Sequence, residues 1–301
     1  MAAFAQAGCG AAGWLYGCGS GDLGSERVLP VIRHGVRLAL WRDAAGQPAC
    51  VLARCPHWGA DLGGGTVRGG RLRCPLHGWR YASDGTCVEG PRAHSLTTAE
   101  QNGQVFVWWG PEAPLYPLPR QPSTWGRTAF QAVDPQPIAA HPHLATMNGL
   151  DLQHWRPVHG LDVAVVRDLA AGDSWSLSCT LRLSGGVARW FGPPMETTIT
   201  TRGATLCTIE SAGWWGRSWT LLSNIELEPG NYAGARQVVA CGRWPATAWA
   251  ILLADALLAG RVLDQDRAAL AGWQPQRASL SGPPWDRYLP VVERLPQWSP
   301  A

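Results

Sequence analysis

The 301-residue chain has no lysine: all 25 of its basic residues are arginine. Set against 22 acidic residues they leave a formal net charge of only +3, which makes no case for a nucleic-acid partner. The first nineteen residues, "MAAFAQAGCGAAGWLYGCG", hold no sustained apolar core, and the first basic residue is Arg27, so no secretory signal is expected. The longest apolar stretch, "ATAWAILLADALLAG", is interrupted by Asp255 and falls short of the roughly 20 residues a membrane helix needs. There is no internal repeat and no low-complexity tract, and nothing reads as the strand, G-x-G-x-x-G, helix fingerprint of a dinucleotide site. A soluble, cytoplasmic protein without a membrane partner is expected. In that compartment its nine cysteines stay reduced, so that a Cys/His cluster points to metal rather than to a disulfide.

What is present is enough for one large or two ordinary cores, with 46% of the residues apolar. From about Arg27 to Arg54 short apolar stretches alternate with turn signals, and "DAAG" predicts a hairpin loop between two strands. Asn102-Gly103 in "AEQNGQVFVWWG" predicts a second hairpin. Then "GPEAPLYPLPRQP" packs five prolines into thirteen residues, which removes backbone donors, stiffens the chain and marks a domain boundary. Beyond it "SWSLSCTLRLS", "METTITT", "ATLCTIESA" and "SWTLLSNIELE" predict a second antiparallel sheet. Residues 147–156 and roughly 246–273 read as helical.

The densest chemistry lies in "RCPHWGADLGGGTVRGGRLRCPLHGW". Cys55 and His57 are followed, after sixteen intervening residues, by Cys74 and His77, each pair on a glycine-rich loop. A zinc ribbon would show two C-x-x-C knuckles, and the single residue between Cys55 and His57 leaves little slack for both to reach one tetrahedral ion. Two irons bridged by sulfides accept one ligand each, so the spacing is that of a Rieske [2Fe–2S] centre, with two thiolates on one iron and two imidazoles on the other. Neutral imidazoles raise the potential to about −150 to +300 mV, against about −400 mV for an all-Cys plant-type cluster. The remaining cysteines, Cys9, Cys18, Cys50, Cys87, Cys179, Cys207 and Cys241, show no comparable grouping and read as buried small hydrophobes.

A second constellation is "NGLDLQHWRPVHG", with Asn148, Asp151, His154 and His159. On a helix the first three lie on adjoining faces, and Pro157 ends or kinks that helix, which lets His159 turn back toward His154. Two imidazoles then converge on one ion and leave room for a carboxylate, as in the facial triad of non-haem Fe(II) oxygenases. A plainer reading of the same residues is structural: Asn148 is a good N-cap and Asp151 suits the helix dipole. Candidates for the carboxylate are Asp255, Asp264 and Asp266. If 261–273 is helical, Asp266 shares a face with Val262, Leu263, Ala269, Leu270 and Trp273, whereas Asp264 falls beside Arg261 and Arg267. A carboxylate on an apolar face is costly unless paired, and a ferrous ion is one such partner. Asp255 would share that face in an unbroken helix and is the runner-up.

In this order the two constellations make the chain resemble the Rieske non-haem iron ring-hydroxylating oxygenases. "WLYGCGSGDLG", "LALWRDAAGQPACVLARCPHWGADL", "CPLHGWRYASDGTC" and "VFVWWG" resemble their Rieske domain, and "NGLDLQHWRPVHG" the start of their catalytic domain. The resemblance implies an α+β fold: an N-terminal antiparallel β Rieske domain over residues 1–116, and a C-terminal helix-grip catalytic domain with an antiparallel sheet over residues 117–301. It implies that His154 and His159 bind Fe(2+), that "LDQDRAALAGWQ" holds the third ligand, and that Asp151, with Asn148 in the same machinery, bridges to a cluster histidine of the neighbouring subunit. Cluster and iron of one subunit lie too far apart in that family, so a head-to-tail homotrimer is implied. The short chain is similar to the α-only branch, which includes monooxygenases and O-demethylases.

The implied activity is oxidation of a C–H bond of a small organic substrate with O2 and electrons from a flavin and iron–sulfur reductase. Alternatives are a Rieske-type electron-transfer protein, a ring cis-dihydroxylating dioxygenase, and a metal-stabilised ligand-binding module with no redox role. His141 and His143 form an H-x-H that family order excludes from the ligand set; a polar loop or substrate-pocket role is expected. Of the eighteen tryptophans most are expected in the core, with Trp58 and Trp79 beside the cluster and Trp155 a candidate substrate contact.

Overall fold

The computed structural model describes residues 10–110, 113–122, 129–138, 142–171, 174–183, 194–203, 205–228, 231–270 and 285–299. The chain divides into two compact units. One comprises the described residues up to 115 with short later segments, and the other runs from Tyr116 to Asn224 and from Gly230 to Leu295.

The first unit is built from short antiparallel strands. β1 (Gly10–Ala11) pairs with a strand near the end of the chain, and β2 (Gly13–Gly19) leads into a 3-10 turn at Ser20–Asp22. Gly19, Gly21 and Gly24 fit the G-x-G-x-x-G spacing, but that single turn opens no helix for a phosphate to cap. β3 (Leu29–Arg33), β4 (Val36–Arg42), β5 (Pro48–Leu52) and β9 (Ser95–Leu96) form one sheet. The "DAAG" loop joins β4 to β5 as expected: the Asp43 carboxylate accepts from the backbone N–H of Ala45 and Gln47, and Gly46 takes the left-handed φ of 75°. β10 (Thr98–Gln101) and β11 (Gln104–Trp109) form the second expected hairpin, with Asn102 and Gly103 both at positive φ.

β6 (Thr66–Arg68), β7 (Arg71–Arg73) and β8 (Arg80–Tyr81) form a small meander; Cys74 and His77 lie on its β7–β8 turn, and Cys55 and His57 on the loop that precedes it. Cys55 and Cys74 belong to its core, together with Trp41, Val51, Leu62, Leu72 and Tyr81. Buried Arg33 ties β3 to β2 by donating to the carbonyls of Tyr16 and Gly17, and burial lowers its pKa to about 10.

The second unit is a seven-stranded sheet in the order β12-β18-β17-β16-β15-β14-β13, formed by β12 (Ala129–Ile138), β13 (Leu161–Ala171), β14 (Ser174–Leu183), β15 (Met195–Arg202), β16 (Leu206–Gly213), β17 (Gly216–Glu228) and β18 (Asn231–Gly242). Alternation sets its faces: Leu177, Cys179 and Leu181 are buried, while Ser176 and Ser178 turn the other way to bond Thr200 and Thr198 across the ladder. Helices α1 (Pro142–Leu150) and α2 (Leu152–His159) lie in the chain between β12 and β13, the 26-residue α3 (Pro245–Leu270) packs against β18 and β12, and α4 (Trp285–Glu293) lies against β13 and β14. The architecture is the expected α+β one, a β unit followed by a helix on an antiparallel sheet. β19 (Gln297–Trp298) is the partner of β1 and completes the first unit. Among the described residues no helix is long and apolar enough to cross a membrane.

Candidate metal centres

The two Cys/His loops are built alike. In the first, the Cys55 N–H donates to the Ala60 carbonyl and the Gly59 N–H to the Cys55 carbonyl; in the second, Cys74 donates to Trp79 and Gly78 to Cys74. Each is the tip of an antiparallel pair, closed by the Arg54–Asp61 bridge or the Arg73–Arg80 pair. Gly59 and Gly78 both stand at φ 75°, where a side chain would be strained, and a Cβ on Gly78 would come 3.0 Å from the Arg73 guanidinium. The sixteen-residue spacing follows from the β6–β7 hairpin, which turns at Gly69-Gly70 and brings Cys74 back beside Cys55.

Both thiols are buried at 2% and 3% exposure, while His57 is half-buried and His77 exposed. The rings of His57 and His77 lie 4.8 Å apart between centroids, so two sulfurs sit inward and two imidazoles outward. Trp79 stacks on His57 at 4.0 Å with planes 8° apart. Trp58 touches His77 edge-on but is 74% exposed, so it is not a core residue. The Tyr81 hydroxyl lies 3.0 Å from Cys55 Sγ. Burial first, then that contact, pushes the phenol far above its ordinary pKa, so it stays neutral beside the sulfur. Sequence reasoning missed Tyr81, whose only signal was its place four residues beyond His77. Of the other cysteines, Cys18, Cys50, Cys179 and Cys207 are buried, whereas Cys87 and Cys241 are only half-buried and Cys9 lies outside the described residues.

In the second unit the predicted single helix over 147–156 is two helices. Asp151, extended at φ −79° and ψ 94°, breaks the chain after α1 and N-caps α2 by accepting the Gln153 N–H. The cap is thus Asp151 and not Asn148, which is half-buried near the end of α1. Pro157 does not end α2 but sits inside it, and the helix stops at Gly160 in the left-handed region, whose N–H returns to the Arg156 carbonyl. His154 and His159 nevertheless meet, with their Nε2 atoms 3.1 Å apart. Asp266 Oδ1 lies 3.1 Å from His159 Nε2 and 3.9 Å from His154 Nε2.

Asp266 is 9% exposed, and its Oδ1 is buried without a hydrogen-bond donor. Such a carboxylate is costly, and an orphaned anionic oxygen facing two imidazole nitrogens fits a divalent ion. Burial lowers the His154 pKa against the pull of Asp266 and Asp151, so its imidazole is neutral at neutral pH and offers a lone pair. Asp255 is instead taken by Arg236 of β18, at 2.6 Å, and Asp264 is exposed. Gln265, also missed, places Oε1 3.0 Å from His159 Nδ1. Trp155 is half-buried with its ring edge toward His154; His141 and the side chain of His143 lie outside the described residues.

Residues 13–100 match the family model of the Rieske [2Fe-2S] domain. That stretch is thus a Rieske [2Fe-2S] domain, and with a His/His/Asp centre suited to Fe(2+) in the unit that follows, the chain is similar to the Rieske non-haem iron oxygenases. Among curated proteins, aminopyrrolnitrin oxygenase PrnD of Pseudomonas fluorescens is 29% identical over 215 residues, covering 63% of this chain and 56% of that one. The oxygenase component of 3-ketosteroid-9-alpha-monooxygenase of Rhodococcus rhodochrous is 38% identical over 87 residues, 26% of this chain and 23% of that one. The chain therefore spans little more than half the length of the first of these relatives and less of the second. Among solved structures, dicamba monooxygenase bound to dicamba superposes with a TM-score of 0.70 at 18% identity, covering 94% of this chain and 96% of that one. NdmA of Pseudomonas putida CBB5 gives 0.71 at 14% identity, covering 93% and 88%. At these identities the structural likeness speaks for the fold.

Proposed function

We propose that the protein uses O2 and electrons from a separate flavin and iron–sulfur reductase to oxidise a C–H bond of a small organic substrate, by hydroxylation, demethylation or a related outcome. One observation carries this reading: the ligand atoms of His154, His159 and Asp266 lie within 4.8 Å of one another, a convergence that an electron carrier does not need. Dicamba monooxygenase and NdmA, which share the fold, have been solved with dicamba and with caffeine, in keeping with a small organic substrate here.

In this reading Cys55 and Cys74 hold one iron of the cluster and His57 and His77 the other, while His154, His159 and Asp266 hold the mononuclear Fe(2+). When bound, the cluster supplies single electrons and the ferrous ion supplies the O2 chemistry. The residues do the rest. Burial keeps His154 neutral, Asp266 contributes the one negative charge, and Tyr81 donates toward Cys55 Sγ at the cluster. Asp151 spends Oδ1 on the α2 cap and turns Oδ2 toward His154 Nδ1 at 3.8 Å. Its side chain is 35% exposed, which suits a bridge to a cluster histidine of a neighbouring subunit. Asn148 stands just before this break, within the same machinery. A head-to-tail homotrimer and a reducing, cytoplasmic location belong to the same proposal, the latter in keeping with cluster thiolates that must not pair as a disulfide.

Purification without oxygen, metal analysis and screening for substrate-dependent O2 uptake with a surrogate reductase test it. About three irons and two acid-labile sulfides per chain are expected, since a two-iron cluster and a mononuclear site each need their own metal. One zinc per chain with no iron would overturn the reading.

A further inference from the structure

Helix α3 presents two consecutive residues to the two nitrogens of one imidazole. Asp266 Oδ1 faces His159 Nε2 at 3.1 Å, and Gln265 Oε1 faces His159 Nδ1 at 3.0 Å. The ring is thereby bracketed, and its side chain is only 3% exposed. A neutral imidazole carries a single proton, and Nε2 is surrounded by His154 Nε2 and Asp266 Oδ1, where a lone pair is what a metal needs. The proton therefore belongs on Nδ1, where the amide oxygen accepts it. His154 is held differently: its Nδ1 faces Asp151, through that residue's backbone and through a carboxylate oxygen 3.8 Å away.

From this asymmetry we infer that Gln265 is a positioning residue for the mononuclear iron, holding His159 in the tautomer and orientation that aim Nε2 at the metal. The inference rests on the ligand set proposed above and adds to it that the two histidines are not equivalent. His159 takes a neutral amide at Nδ1, and His154 the Asp151 side. An amide also differs from a carboxylate in this place, because it accepts the Nδ1 proton without adding a second negative charge beside Asp266.

The test compares Fe(2+) affinity, measured by chelator competition on protein that keeps its cluster, in wild type, Gln265→Leu and Gln265→Glu. Leucine fills similar space but accepts nothing, so affinity should fall about 10- to 100-fold, the usual cost of removing an outer partner of a metal-bound histidine, with the Rieske absorption unchanged. Glutamate still accepts, so Gln265→Glu should return to within about threefold of wild type. The Mössbauer quadrupole splitting of its ferrous iron should differ from wild type, because a carboxylate partner makes the imidazole a stronger donor. A Gln265→Leu protein that binds iron as wild type does, or a Gln265→Glu protein as weak as Gln265→Leu, overturns the role of Gln265 while leaving the ligand set standing. A wild-type protein that binds no mononuclear iron overturns the ligand set and this inference with it.

Discussion

Asp255, Asp264 and Asp266 share helix α3 yet meet different surroundings: the first is held by Arg236, the second is exposed, and the third carries a buried, unpartnered oxygen. Asp266→Ala should abolish mononuclear iron binding and product formation while the Rieske spectrum persists, and Asp264→Ala should do neither. Asp255→Ala should keep its iron but lose about 3 kcal/mol of stability, since it strands the buried Arg236 cation. Iron stoichiometry and thermal melts on the same preparations separate the three, and iron loss in Asp255→Ala alone would reverse the assignment. The helical phase made Asp266 legible in the sequence, because one chain segment contains both the carboxylate and the apolar face it shares. That face is less uniform than the phase suggested, since Ala269 is exposed. The fate of Asp255 was not legible, for its partner lies on β18, nineteen residues away across a sheet. Asp151 poses a different test, because it caps α2 whatever else it does. Asparagine caps as well as aspartate, whereas alanine does not and costs about 1 kcal/mol. Asp151→Asn should therefore fold normally and bind both metals, yet reduced cluster should no longer deliver electrons to the mononuclear iron in single-turnover measurements. Wild-type transfer in that variant would leave Asp151 with the cap alone.

At the level of elements, the Cys/His turns depend on the hairpin between them. Gly70 stands at φ 71°, and a Cβ there would lie 2.0 Å from the Ala44 backbone nitrogen, which cannot retreat as a flexible side chain can. Gly70→Ala should cost more than the roughly 1–2 kcal/mol of left-handed strain alone. Its measurable signs are a lowered melting temperature and loss of cluster absorbance. A variant that melts and absorbs as wild type would show that β6–β7 does not set the loop spacing. Such hairpins were readable in advance, because "DAAG" and Asn-Gly carry their own turn chemistry within a few residues. The helix carrying His154 and His159 was readable only in outline. Pro157 looked like a terminator or kink, yet it sits inside α2 at the sixth of eight residues, where it removes only the one N–H that would serve the Gln153 carbonyl. The true break falls at Asp151, where a side chain competes for the backbone, a choice that depends on how α1 and α2 are packed as much as on local preference.

For the whole molecule the open matter is which cluster serves which iron. If electrons pass head to tail between subunits, as proposed, a chain without a cluster and a chain without mononuclear iron are each inactive alone but complete one another in a mixed ring. Cys55→Ala removes a cluster thiolate and leaves the His/His/Asp centre, and Asp266→Ala does the reverse. Co-expressed in equal amounts, with separate tags to isolate mixed assemblies, they should assort into closed rings, and in each mixed trimer about a third of the subunit junctions would join an intact cluster to an intact iron centre. Substrate turnover near that fraction of wild type is the expected result. Transfer within one chain predicts none, because no single chain in the mixture has both centres. Size measurement under the same conditions supplies the companion result: a trimer that shows no complementation would place the working pair inside the subunit, and a monomer with full activity would remove the need for a ring altogether.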